Sequence, residues 1–158
     1  MQVTPFRARD YLEAWALTRI GVPRRTDPID REWAARTYEK GGPAFTARLD
    51  GQILACAGLM VLWPGVASAW ALISPLGAKG HGLALHWGVK RELEALIRLR
   101  CLWRVEADVE ASNRLAIRWI RLLGFHEEGI RVRRGPLGED LAHYARLQAI
   151  HHTQEMKG

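Results

Sequence analysis

Apolar and polar positions change period several times along the chain, and each change marks an element. Residues 3–7 read as a first strand. Residues 11–20 carry Tyr11, Leu12, Trp15, Ala16 and Ile20 at helical spacing, and Gly21, Val22 and Pro23 end that helix. A second helix opens at Asp27-Pro28 and runs to about Glu39, where Gly41, Gly42 and Pro43 stop it. Residues 44–49 and 53–62 read as a hairpin around Asp50-Gly51, a dipeptide that accepts the positive φ of a tight two-residue turn. Pro64-Gly65 turns the chain again into a strand over 66–74.

A glycine-rich turn follows, with Gly77, Gly80 and Gly82. It leads into a helix over 82–100 whose stripe of Leu85, Val89, Leu93 and Leu96 predicts one buried face. In the next segment, 102–109, Val105, Ala107 and Val109 alternate with Arg104, Glu106 and Asp108, which predicts a strand. Ser112 or Asn113 then caps a helix that Gly124 ends. Two last strands, 125–133 and 140–147, are joined through Gly135, Pro136, Leu137 and Gly138, and a polar tail from Gln148 is expected to fray. The order β-α-α-β-β-β-α-β-α-β-β is an α+β arrangement with helices on both faces of a sheet.

Composition narrows the class. With 158 residues, 48% of them hydrophobic, the chain suits a single domain over 1–158 with a full core. No apolar run approaches the ~18 residues of a membrane-spanning helix. The opening Met-Gln-Val-Thr-Pro-Phe-Arg has no signal-peptide hydrophobic region. Cys56 and Cys101 are two and far apart, so a reduced, cytoplasmic setting with free buried thiols is expected rather than a disulfide. Net charge is +6, from 23 basic and 17 acidic residues, and much of it is arginine: Arg98, Arg100, Arg104, Arg114, Arg118, Arg121, Arg131, Arg133 and Arg134. That excess is either a solvated face or an attraction for a polyanion such as a nucleotide. No aromatics interleave it as on a single-strand platform, so nucleic acid is not an expected partner. Trp33, Trp63, Trp70, Trp87, Trp103 and Trp119 are read as core, with Trp70 and Trp119 also suited to an acceptor pocket. His81 and His86 have no acidic or cysteine companions, and no metal is expected.

The glycine-rich turn has its own chemistry. Glycines admit a close ligand, and the helix behind them offers free N–H groups and the positive end of a dipole, which suits a pyrophosphate.

The stretch from Asp108 to Phe125 resembles the GNAT superfamily of acyl-CoA-dependent N-acetyltransferases. The family pattern N-x-x-A-x-x-x-Y-x-x-x-G-F is met by Asn113, Ala116, Gly124 and Phe125, with Ile120 in place of the tyrosine. The turn resembles the family's Q/R-x-x-G-x-G/A, with Gly77, Gly80 and Gly82 at the matching positions. No Gln or Arg stands at the first of them, and Lys79 supplies charge nearby. The resemblance implies a GNAT-like, mixed and mostly antiparallel sheet. It implies acetyl-CoA as acyl donor, with its pyrophosphate on Lys79, Gly80, His81, Gly82 and Leu83. Its pantetheine arm would pair with the backbone of Leu72, Ile73 and Ser74, and Asn113, Ala116 and Ile120 would lie beside it. Several related enzymes place a glutamate base five residues before the asparagine. Asp108 stands there, with Glu106 on the same strand face as second candidate; the alternative is that both pair with nearby arginines. Ile120 cannot donate a proton, and Tyr144 is the hydroxyl left to ask about. The acceptor is an amine, on a small molecule or a protein.

The C-terminal part also resembles small GNAT-like proteins that tailed bacteriophages encode near virion genes. The residues that carry this likeness are Leu123 to Gly129, Gly135 to Asp140, and Tyr144-Ala145-Arg146. That resemblance implies an alternative function, a virion-associated or host-protein-binding protein that keeps the fold without the catalysis. A homodimer is left open by either reading.

Overall fold

The computed structural model describes residues 1–18 and 30–149. Among them the elements are β1 (Gln2–Pro5), α1 (Ala8–Thr18), α2 (Arg31–Gly41), β2 (Ala44–Leu49), β3 (Gln52–Trp63), β4 (Val66–Ile73), α3 (Pro75–Gly80), α4 (Gly82–Leu99), β5 (Arg104–Glu110), α5 (Arg114–Leu122), β6 (His126–Arg131) and β7 (Leu141–Leu147). The expected end of the first helix at Ile20 to Pro23, the expected start of the second at Asp27-Pro28, and the tail beyond residue 149 lie outside the described residues.

The strands form one sheet in the order β1-β2-β3-β4-β5-β7-β6. The pairs are antiparallel except β4 with β5, which is parallel. This is the mixed, mostly antiparallel sheet that was expected. Leu85, Val89, Leu93 and Ile97 of α4 and Ile120 of α5 join one buried cluster on the sheet. Tyr11 and Ala14 of α1 and Ala34 and Ala35 of α2 join a second, with Ile53 and Cys56 of β3. Burial pushes the Cys56 thiol up to about 12, so it stays protonated. No helix among the described residues is long and apolar enough to cross a membrane.

Three local expectations differ from the structure. The glycine-rich segment is not simply a turn, because residues 75–80 form α3. Ser74 caps it by accepting from Gly77 N at 3.2 Å while donating to Ile53 O at 2.7 Å, and Pro75 starts it without a wasted N–H. Gly77 is there for packing, since a Cβ would stand 2.3 Å from Leu54 O. The tryptophans are the second difference. Trp33, Trp63, Trp87 and Trp103 are exposed, not core. Trp33 stands beside the inward Ala34 and Ala35, and Trp87 lies between the inward Leu85 and Val89, so helical geometry turns both outward. Trp103 lies over Gly65, where a Cβ would meet its ring at 2.1 Å. Third, both cysteines are free, but only Cys56 is buried; Cys101 is exposed.

Candidate active site

β4 and β5 run side by side only from Val66–Arg104 to Ser68–Glu106. Beyond that point each follows its antiparallel neighbour, β4 to β3 as far as Ile73 and β5 to β7 as far as Glu110. The two strands therefore part, and the space between them opens a cleft of about 680 Å³. Leu85 and Val89 of α4 and Ala116, Trp119 and Ile120 of α5 line it, with Trp70 on β4.

Strand register decides which backbone groups face the gap. Ser74 N donates to Leu54 O at 2.9 Å, on the β3 side. In an antiparallel ladder the bonded positions alternate, so Leu72 also turns its N–H and C=O toward β3, opposite Cys56. Ala71 and Ile73 turn theirs the other way, into the gap. Of Leu72, Ile73 and Ser74, only Ile73 has its backbone free for a ligand, and Ala71 joins it. Ser74 is buried, and its carbonyl already accepts from Ala78 N.

At one end of the cleft stands the N-terminus of α4. His81 is its N-cap residue and makes no side-chain capping bond. The first intrahelical donor here is Leu85 N, to His81 O, so the N–H groups of Gly82, Leu83 and Ala84 have no helical partner. A Cβ at Gly80 or Gly82 would meet nothing within 4 Å. Gly82 lines the cleft; Lys79, Gly80, His81 and Leu83 lie in the α3–α4 junction beside it.

Asn113 is the residue that caps α5, accepting from Ala116 N at 3.0 Å, while Ser112 donates to Glu110. Its carbonyl oxygen is thus occupied and its amide N–H₂ group is left to donate. Asn113, Ala116 and Ile120 all line the cleft, and Ile120 is 8% exposed, facing it from α5.

At the other side of the gap stands Asp108. Its Oδ1 lies 2.7 Å from His143 Nδ1 and its Oδ2 accepts from Arg131 at 3.5 Å. Glu106 accepts from Arg104 Nε at 3.1 Å and lies away from the cleft, in the paired part of β5. Arg104 also reaches Glu128. That hydrogen bond holds the Glu128 carboxyl below its usual range and raises the guanidinium in turn. Both acidic candidates therefore have arginine partners, as the plain alternative expected, and Asp108 alone also opens on the cleft. His143 was not legible in the sequence. It lies 35 residues from Asp108 and directly across the β5–β7 ladder, a register that no local pattern encodes.

Tyr144 points to the other face of β7. Its side chain is fully buried in the core with Ile120 and Phe125, its hydroxyl has no partner, and it does not line the cleft.

A seven-stranded mixed sheet whose two central parallel strands part over a helix N-terminus is the fold of the GNAT N-acetyltransferases. Solved structures with this fold match nearly the whole chain. A ribosomal-protein alanine N-acetyltransferase from Escherichia coli superposes with a TM-score of 0.71 at 22% identity, covering 97% of each chain. A GNAT-family acetyltransferase from Streptococcus pneumoniae gives 0.69 at 16% identity, covering 94% of this chain and 99% of its own. A mutant of the spermidine N-acetyltransferase from Vibrio cholerae gives 0.69 at 15%, covering 93% and 95%. No protein-family model matches the sequence, and no curated protein matches it.

Proposed function

We propose that the protein transfers an acetyl group from acetyl-CoA to a primary amine, on a small molecule or a protein. The observation that carries this reading is the parted β4–β5 cleft, with unpaired helix N–H groups following β4 on one side and a carboxylate of β5 on the other. The two sides suit the two halves of the reaction. A pyrophosphate fits the open N-terminus of α4, where no side chain occupies the space in front of Gly80 and Gly82. An extended pantetheine arm fits the free backbone of Ala71 and Ile73, and the Asn113 amide is placed to donate to it. The apolar walls from α4 and α5 exclude water from the thioester. An ammonium ion has no lone pair, so the amine must first give up a proton. Asp108 and Glu110 are the carboxylates on the cleft; Glu110 accepts from the Ser112 hydroxyl at 2.7 Å, and Asp108 is the one that takes the proton. The nitrogen then attacks the carbonyl carbon, the C–N bond forms, and the C–S bond breaks. The CoA thiolate leaves and takes a proton from solvent while the new amide nitrogen gives up its extra one. The structural neighbours named for spermidine and for a ribosomal-protein alanine support an amine as the acceptor class. The same reading places the protein in the cytoplasm, where acetyl-CoA is available.

Binding comes first among the tests. Acetyl-CoA at 100 times its dissociation constant is expected to stabilise the protein by about 2.7 kcal/mol, read as a rise in melting temperature. No rise at millimolar acetyl-CoA removes the proposal. Gly80→Val and Gly82→Val put a side chain in the phosphate's space without touching the protein. Each is expected to fold normally and weaken CoA about 10- to 10²-fold, since a hydrogen bond to a charged group contributes about 1.5–3 kcal/mol. Unchanged affinity in both folded variants, by calorimetric titration, places the pyrophosphate elsewhere.

One observation favours a second reading. Among the described residues no hydroxyl or thiol side chain lines the cleft, and Ile120 holds the position of the family's tyrosine, so the leaving thiolate has no side-chain acid beside it. A protein that kept the fold to bind a phage or host protein shows this loss naturally. Saturable acetyl-CoA binding with no transfer across a broad amine panel selects that reading.

A further inference from the structure

We propose that His143 is the positioning residue for Asp108, held in one tautomer by Arg131 and Arg104. The proposal rests on the acetyl-transfer reading and names how its base is kept in place. Three neighbouring strands bring the groups together. Asp108 on β5 stands opposite His143 on β7, which stands opposite Gly129 on β6, two residues before Arg131.

The ring has two nitrogens, and their partners assign the proton. Nε2 faces Arg131 Nη2 at 3.2 Å and Arg104 Nη2 at 3.4 Å. A guanidinium only donates, so Nε2 accepts and carries no hydrogen. The hydrogen of the neutral ring is then on Nδ1, 2.7 Å from Asp108 Oδ1, and His143 donates it there. Glu106 and Glu128 are also near, each 3.7 Å from Nε2, beyond hydrogen-bond reach of it. His143 is 9% exposed, so its ring is fixed by packing.

This arrangement has a consequence for the carboxylate. Aspartate on a strand bordering a gap, with a 30% exposed side chain, has room to swing about its χ angles. A short bond from a buried, immobile donor anchors one oxygen. Oδ2, which has only the long 3.5 Å contact to Arg131, is left to take a proton from the cleft side. His143 touches no substrate in this scheme and acts through Asp108.

Two measurements test it. The first needs no activity: ¹⁵N NMR of the imidazole in the whole protein is expected to show His143 protonated at Nδ1 and bare at Nε2. The opposite tautomer overturns the proposal, whatever the protein's activity. The second is kinetic. His143→Leu is expected to lower kcat about 10- to 10²-fold, the scale of a misplaced reacting group, with acetyl-CoA affinity and acceptor KM close to the parent. His143→Asn, whose amide N–H reaches the place of Nδ1–H, is expected to recover most of that loss. In an Asp108→Asn background, His143→Leu is expected to cost nothing further. An undiminished loss in that background, or equal losses in the Leu and Asn variants, shows that His143 does not act through Asp108. Absence of any acetyl transfer by the parent instead overturns the enzymatic reading, and the tautomer measurement still decides the His143–Asp108 pair.

Discussion

Replacing Asp108 with asparagine is expected to lower turnover by about 10²- to 10⁴-fold while leaving acetyl-CoA binding intact. The substitution keeps the shape of the side chain, and the amide oxygen still accepts from His143, so what is removed is the ability to take a proton. Glu106 is the natural comparison, because it lies on the same face of β5. It sits where β4 and β5 are still paired, bonded to Arg104 at 3.1 Å, whereas Asp108 is two residues further on, where the strands have parted. Glu106→Gln is therefore expected to change turnover far less. Aspartate is one methylene shorter than the glutamate of several related enzymes, which suits a proton relayed through one water. Steady-state kinetics with a confirmed acceptor check the prediction, alongside a separate titration with acetyl-CoA. Equal turnover in Asp108→Asn and the parent removes this carboxylate from the mechanism.

Elements with a local physical signal were legible in the sequence. Residues 44–49 are β2 to the residue, and Asp50 and Gly51 take φ of 49° and 79°, the positive values that the hairpin demands. The stripe of α4 faces the core, and Asn113 caps α5. What was not legible depended on distant partners. Three glycines between 77 and 82 hid α3, because glycine disfavours a helix and only the contact of Gly77 with Leu54 explains its presence. Tryptophan's hydrophobicity suggested burial, but its position on a helix face decides exposure, as Trp33 and Trp87 show. For the candidate site, the resemblance pointed to Asp108, Asn113 and the turn before α4, and the structure brings Asp108, Asn113 and Gly82 to one cleft. That Ala71 rather than Ser74 turns its backbone toward the gap follows from the ladder with β3, and the place of His143 from the ladder with β5, neither of which leaves a mark within one segment.

The largest expected loss of stability comes from a residue far from the cleft. Asp10 is 5% exposed and lies in the first turn of α1. Its Oδ2 accepts from Arg7 N at 3.0 Å and from Thr46 Oγ1 at 2.8 Å, and its Oδ1 accepts from Arg48 Nη2 at 3.0 Å. The first bond is one half of a capping box, satisfying an N–H that the helix leaves open. The second ties α1 to β2, and the third pairs a buried charge. A carboxylate also suits the positive end of α1. Asp10→Ala removes all of these at once. It leaves the fully buried Thr46 hydroxyl with only a 3.9 Å contact to Cys56 Sγ, and Arg48 with Glu13 as its remaining carboxylate. Arg48 keeps Glu13, so the loss comes mainly from the cap, about 1 kcal/mol, and from the buried Thr46 hydroxyl left without its partner, about 1–3 kcal/mol; a fall of about 2–4 kcal/mol in ΔG of unfolding is expected from urea titration. Asp10→Asn keeps acceptor oxygen but loses the charge, and is expected to fall between the two. Because α1 packs with Trp70 across the sheet face that borders the cleft, a loosened α1 reaches the site through that contact. A loss below about 1 kcal/mol in Asp10→Ala, with the m-value unchanged, shows that the apolar packing of α1 and the Arg48–Glu13 pair hold α1 to the sheet without Asp10.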